Sequence, residues 1–238
     1  KRLYNKPDKI LITSQMFRDY LVQQHCVENN KIEYLPQYAP AQFDMIPPSA
    51  EHKETVDLMF AGNIGAAQNL QVVLNAAEIL RNEKKLRWHI VGDGSELENL
   101  KRLAVEKKLD NVIFYGRKPP EKMPKYYAMA DAMLVTLTAD KFISLTLPGK
   151  IQTYMAAGKP IIASATGEIP TVLQDTHCGY CVAPDDARAL ADAVRTFMNT
   201  NEKAVLGQNA RMYYETHFLR DKFMNRLENT LIDNASKK

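Results

Sequence analysis

The sequence predicts an α/β fold, a Rossmann-like doubly wound parallel sheet, and two observations carry that prediction. Short β-rich apolar runs alternate regularly with longer segments whose apolar residues recur every third or fourth position, the signature of βαβ units. Glycines follow several of the apolar runs directly, where such a sheet turns from strand into helix.

In chain order the expected strands are 10–13, 32–35, 56–61, 87–91, 112–115, 132–136, 161–164 and 180–182. The expected helices are 14–26, 68–83, 96–107, 121–130, 148–157, 168–174 and 186–198, followed by a helical stretch over 204–233 with aromatics at Tyr213, Tyr214, Phe218 and Phe223. Residues 36–53 hold Pro36, Pro40, Pro47 and Pro48 without a periodic apolar face and read as a linker. Two strands and a helix upstream are too few to bury a core. Residues 1–40 are therefore expected to be the remnant of a preceding domain, with 41–54 as linker, 55–200 as a complete Rossmann-like domain and 201–238 as C-terminal helices. The opening Lys1-Arg2-Leu3-Tyr4 has neither an initiator Met nor a signal-peptide core, so the chain reads as a piece of a longer polypeptide.

The composition narrows the function. The chain has 238 residues, 45% hydrophobic and 25% charged, as in ordinary globular proteins. No apolar stretch approaches the ~20 residues that span a bilayer. Lys and Arg number 31 against 28 acidic residues, and the signs are interspersed. That pattern lacks the basic stripe of a nucleic-acid binder. Three cysteines are too few for a disulfide scaffold and fit a reducing, cytoplasmic setting. Cys178 and Cys181 form a Cys-x-x-Cys, but no second pair accompanies it to make a zinc ribbon. It enters a strand rather than opening a helix, so two small structural residues are the better account. The histidines form no zinc pattern, and neither a Gly-x-Ser-x-Gly elbow nor a P-loop is present.

Four loops remain, all at the carboxyl edge of the expected sheet, where open α/β folds bind ligands. Gly62-Asn63-Ile64-Gly65 stands between a strand and a helix. Its glycines allow close approach and the helix N-terminus offers N–H groups to an anion, though a tight βα turn needs the same residues. Gly92-Asp93-Gly94-Ser95 repeats the arrangement, with Asp93 or Ser95 placed to cap a helix. Gly116-Arg117-Lys118 brings two cations. Ser144-Leu145-Thr146-Leu147-Pro148-Gly149-Lys150 is the most distinctive. Pro148 suits a helix start, and Lys150 adds positive charge where the helix dipole is already positive. An anion there offsets both.

From residue 56 to residue 197 the chain resembles the nucleotide-sugar-binding C-terminal domain of family-4 retaining glycosyltransferases, which have the two-domain GT-B fold. The residues that carry the resemblance are Tyr154-Met155-Ala156-Ala157-Gly158-Lys159-Pro160-Ile161-Ile162-Ala163-Ser164, then Gly167-Glu168-Ile169-Pro170 and Gly179-Tyr180-Cys181-Val182-Ala183-Pro184-Asp185-Asp186. Tyr126-Tyr127-Ala128-Met129-Ala130-Asp131 resembles the family's helix before its next strand. Gly62–Gly65 and Thr146–Lys150 resemble bacterial O-antigen and capsule enzymes that transfer N-acetylated amino-deoxysugars of the L-fucosamine type.

The resemblance implies the C-terminal half of a GT-B fold, a UDP-linked sugar donor, a polysaccharide or lipid-linked acceptor, and no metal or other cofactor. It implies a cytoplasmic protein that sits peripherally at the membrane in its full-length form, with the acceptor site mainly in the preceding domain and a last helix that crosses back to that domain on the apolar spacing of Phe218, Phe223, Leu227 and Leu231. The diphosphate would lie against Gly62, Asn63, Ile64, Gly65 and Lys150. The base and ribose would lie against Gly92, Arg117, Lys118 and Thr153, and Ser144, Thr146, Leu147, Pro148 and Gly149 would form the donor loop. No catalytic acid or base is assigned. Two departures stand out: the family's diphosphate-gripping Arg and Lys are Asn63 and Gln68 here, and its paired glutamates are Leu145 and Thr153. A nucleotide-sugar-binding domain without turnover and a GT-B sugar-nucleotide epimerase are the alternatives.

Overall fold

The computed structural model describes residues 3, 4, 6–44, 46 and 54–236. Pro47, Pro48 and Lys53 of the expected linker lie outside them. Six strands form the main sheet: β3 (Val56–Ala61), β4 (Leu86–Val91), β5 (Val112–Gly116), β6 (Ala132–Thr136), β7 (Ile161–Ser164) and β8 (Gly179–Val182). They are ordered β5-β4-β3-β6-β7-β8, and every pairing is parallel. The order reverses between β3 and β6, so a ligand crevice is expected beyond their carboxyl ends.

The helices cover both faces, which is why most strands are continuously apolar instead of alternating. They are α2 (Gln71–Ile79), α3 (Leu97–Glu106), α4 (Met123–Met129), α5 (Gly149–Ala156), α6 (Glu168–Thr176), α7 (Ala187–Asn199) and α8 (Lys203–His217). Leu58 and Phe60 of β3 point to one side with Trp88 of β4, against α2, α3 and α7. Met59 and Ala61 point to the other, against α4, α5, α6 and α8. One polar chain crosses the sheet. His89 Nε2 lies 2.7 Å from Asp57 Oδ1 and its Nδ1 lies 2.8 Å from the Tyr115 hydroxyl, so these buried groups satisfy one another.

The amino-terminal segment is a two-stranded parallel sheet, β1 (Ile10–Ile12) and β2 (Ile32–Tyr34), joined by α1 (Met16–His25). Ile12, Leu21, Val27 and Ile32 form its small core. The last helix, α9 (Arg220–Ala235), reaches this sheet, where the Thr230 hydroxyl donates to Glu33 Oε1 at 3.0 Å.

Three expectations need correction. The helix expected from 68 begins at Gln71, because a 3-10 turn over Ala66–Gln68 and a left-handed Asn69 intervene. The stretch 204–233 is two helices, broken at Phe218 and Leu219. Its spacing suggested an apolar face through Leu231, yet Leu231 is exposed and the fully buried residue of α9 is Thr230.

Gln152 of α5 is completely buried, and its amide oxygen and nitrogen find no partner among the described residues. Such an amide costs roughly 1–3 kcal/mol, so Gln152→Met, similar in shape, is expected to stabilise the fold by about 1 kcal/mol. Thermal unfolding checks this; an unchanged or lower Tm means the amide is bonded after all.

Candidate functional site

The loops after β3, β4 and β5 are laced together at the crevice. Gly62 N–H donates to Val91 O at 2.9 Å, Gly92 N–H to Gly116 O at 3.1 Å and Ile64 N–H to Asp93 O at 2.8 Å. Gly62 and Gly92 have φ of +149° and +148°, and a Cβ on Gly92 would lie 1.8 Å from Gly62 O. Only glycine fits where two backbones touch in that conformation.

This lacing revises the expected anion cradle. The N–H groups of Gly62 and Ile64 are already bonded, and Ile64 is fully buried. Asn63 and Gly65 lie between and after them. Asp93 does not cap α3; its Oδ1 accepts the N–H of Gly94 at 2.8 Å, and α3 starts after Glu96 without a side-chain cap.

A cleft of about 490 Å³ opens over these loops, within the range of small-molecule sites. Gly62, Asn63, Gly92, Arg117 and Lys118 all line it. The sequence did not single out its apolar wall: Phe43, Met123 and Tyr127. The expected linker supplies part of it. Residues Ala41–Phe43 form a 3-10 turn, Phe43 is buried against Tyr127 with ring centroids 4.8 Å apart, and Gln42 Nε2 donates to Pro120 O at 3.0 Å.

Lys150, which is not among the residues lining that cleft, approaches Gly62 from α5. Tyr154, one turn further along α5, fixes that helix to the end of β3. Its hydroxyl donates to Ala61 O at 2.9 Å and accepts from Ala61 N–H at 3.2 Å. Lys150 Nζ then sits 4.1 Å above the Phe60 ring centroid and donates to Gln68 Oε1 at 3.0 Å. A Cβ placed on Gly62 would lie 3.4 Å from it. Burial pushes its pKa down to about 7, with no charged neighbour contributing. Gln68 is held in turn: Thr136 Oγ1 donates to its carbonyl, and its own N–H donates to Gly65 O at 3.0 Å. Lys150 is thus a half-buried cation with an aromatic face and an amide as neighbours.

The remaining residues singled out from the sequence do not line the cleft. Ser144 Oγ donates to Lys141 O at 3.0 Å and Thr146 Oγ1 to Ile143 O at 2.7 Å, so both hydroxyls brace their own loop. Leu147 is buried, Pro148 caps α5, and Gly149 abuts Gln37. Thr153 Oγ1 donates back to Gly149 O at 3.0 Å within α5. Among the described residues no group of three His, Cys, Asp or Glu side chains could hold a metal ion. The thiols of Cys178 and Cys181 are both pushed up to about 11, chiefly by burial, which keeps them protonated and unreactive.

The profile of the family described as Glycosyl transferases group 1 matches residues 42–213. The chain belongs to this family. It is 34% identical over 134 residues to the probable glycosyltransferase WbjE of Pseudomonas aeruginosa, covering 56% of this chain and 33% of that protein. To the putative colanic acid biosynthesis glycosyl transferase WcaI of Escherichia coli K12 it is 32% identical over 142 residues, covering 58% and 34%. The chain spans about a third of the length of these two relatives. In fold it superimposes on Anabaena HepE in complex with UDP-glucose with a TM-score of 0.82 at 16% identity, covering 98% of this chain and 66% of that one. The α/β fold with its parallel sheet is that of GT-B glycosyltransferases. Among the described residues no helix is long and apolar enough to cross a membrane.

Proposed function

We propose that this chain holds the nucleoside diphosphate of a sugar donor and forms the donor-binding half of a retaining glycosyltransferase that uses a UDP-linked sugar. The observation that carries the reading is Lys150, a half-buried ammonium beside Gly62 with no anionic partner among the described residues. A diphosphate laid against Gly62 and Asn63 supplies the missing charge. The apolar slot between Phe43, Met123 and Tyr127 has the character of a base site, with Gly92, Arg117 and Lys118 at its mouth. The UDP and UDP-glucose held by HepE support the choice of nucleotide.

In the transfer itself the bond from the anomeric carbon to the diphosphate oxygen breaks and an acceptor hydroxyl oxygen takes its place. Negative charge collects on the departing diphosphate. A fixed ammonium in a poorly hydrated crevice stabilises that charge more than a flexible surface lysine does. No residue here is assigned to the acceptor's proton. The acceptor, a polysaccharide or lipid-linked sugar, would sit mainly on a domain preceding residue 1; the likeness to WcaI, named for colanic acid biosynthesis, favours polysaccharide synthesis, and the sugar proposed from the Gly62–Gly65 and Thr146–Lys150 stretches is an amino-deoxysugar of the L-fucosamine type.

The test has two arms. Calorimetry on this chain is expected to show UDP binding more tightly than GDP or ADP; no UDP binding refutes the donor reading. With upstream sequence restored, transfer from a UDP-sugar to an acceptor is expected, and this chain alone should not transfer. Binding without transfer points to a non-catalytic domain. Interconversion of the UDP-sugar with no acceptor present points to an epimerase.

A further inference from the structure

A second cavity of about 530 Å³ lies between the small sheet, α6 and the junction of α8 with α9. The donor cleft shares none of its lining residues. A cleft of this volume with charged and aromatic walls is within the size range of small-molecule sites.

Its charge sits on α9. Lys222 and Arg226 both line the cavity and, four residues apart, share one helix face. Lys222 Nζ donates to the Thr216 carbonyl at 2.6 Å, which leaves two of its three hydrogens. Arg226 Nε is 3.7 Å from Glu33 Oε1, beyond hydrogen-bond range. The opposing charge is Glu168. Its Oε2 accepts the Ser14 hydroxyl at 2.5 Å and the Gln15 N–H at 2.8 Å, so this carboxylate lies at the N-termini of both α1 and α6. The two hydrogen bonds thus fix the position of the carboxylate, and its other oxygen is left to accept a hydroxyl. Tyr34, Tyr213 and Phe223 add flat apolar faces. Burial first, and Glu168 second, keep the Tyr34 hydroxyl protonated well above the ordinary tyrosine range, as a donor.

We propose that this cavity binds an anionic sugar, a pyranose bearing a phosphate or carboxylate. The acid group would lie on Lys222 and Arg226, a sugar hydroxyl on Glu168, and the ring against the aromatic faces. Such a ligand would tie α9 and the small sheet to α6, whose first turn touches the donor loop: a Cβ on Gly167 would lie 1.8 Å from Ser144 O. The proposal does not depend on the donor reading.

Calorimetry with glucose 6-phosphate, glucuronate, inorganic phosphate and glucose tests it. At least one anionic sugar is expected to bind saturably and at least tenfold more tightly than glucose or inorganic phosphate. A Lys222→Gln, Arg226→Gln double variant, altered only on the surface of α9, should lose at least tenfold of that affinity and keep its UDP affinity. Lys150→Met should leave the sugar affinity intact. Phosphatidylinositol vesicles that retain the wild type but not the double variant would assign the acid group to a lipid headgroup; binding of the free sugar without retention assigns a soluble ligand. The proposal falls if neither anionic sugar binds, if phosphate binds as tightly, or if Lys150→Met abolishes the binding.

Discussion

Replacing Lys150 by Met is expected to weaken UDP binding and stabilise the fold in the same protein. The two effects have one cause. The half-buried ammonium sits over Phe60 with a neutral amide as its hydrogen-bond partner, and its pKa is pushed down to about 7. Each unit of depression is worth ~1.36 kcal/mol against the charged form. With allowance for partial solvent access, Met, which keeps the stem packed on Phe60, should stabilise the fold by about 2 kcal/mol near pH 6. Lysine in the unfolded chain holds its proton up to its ordinary value, so wild-type stability falls as pH drops from about 10 toward 7. It stays low below 7. The advantage of the Met variant should therefore shrink as pH rises through that window. Loss of the charged contact should weaken UDP by about 1.5–3 kcal/mol, roughly ten- to 150-fold.

The wild type should show the converse in its ligand binding. Above pH 7 free Lys150 sheds its proton while the terminal phosphate, with a second pKa near ~6, is already dianionic. A bound diphosphate must restore that proton, so UDP affinity should fall by up to about tenfold per pH unit above 7 and be nearly flat in the Met variant. Calorimetry in buffers of different ionisation enthalpy reads the proton uptake directly. A Met variant that binds UDP like the wild type, with the same pH profile, would remove Lys150 from the site.

How much of this was legible in the sequence depends on how local each feature is. The main-sheet strands could be read because buried parallel strands are short continuous apolar runs, and β3, β6 and β7 begin and end where those runs do. Lys150 could be read because Pro148 announces a helix start. Its neighbours could not: Phe60, Gln68 and Lys150 come from a strand, a 3-10 turn and a helix, and no spacing connects them. The loop after β3 was legible only in part. Gly62–Gly65 has the composition of an anion cradle, but lacing to Val91 and Asp93 takes two of its N–H groups. The linker was legible in part in the same way, since Phe43 has no periodic partners in sequence yet is buried against Tyr127. The cavity lined by Lys222 and Arg226 draws on β2, α6, α8 and α9 and left no motif to find.

The lacing itself gives the other large expected effect, at Gly92. Gly92→Ala should destabilise the fold by about 3 kcal/mol or more and abolish UDP binding, although Gly92 bears no side chain to touch a ligand. A methyl there would stand 1.8 Å from Gly62 O and 3.0 Å from Gly62 C, both backbone atoms, at a φ of +148°. Backbone cannot swing aside as a side-chain end does, so the loops after β3 and β4 must part. Overpacking costs about 1–3 kcal/mol and the disfavoured dihedral about 1–3 more. Parting also breaks the Gly62 N–H to Val91 O bond and moves Gly62 away from Lys150, dispersing the cation and the backbone that face the crevice. Gly116→Ala is the control. It lies one loop over with φ of +67°, and a methyl there would meet nothing within 4 Å, so only the left-handed backbone is penalised, by about 1–2 kcal/mol, and UDP should still bind. Thermal unfolding and UDP calorimetry on both variants separate the cases. If Gly92→Ala loses no more stability than Gly116→Ala, the two loops are not in contact, and the crevice geometry drawn from them is wrong.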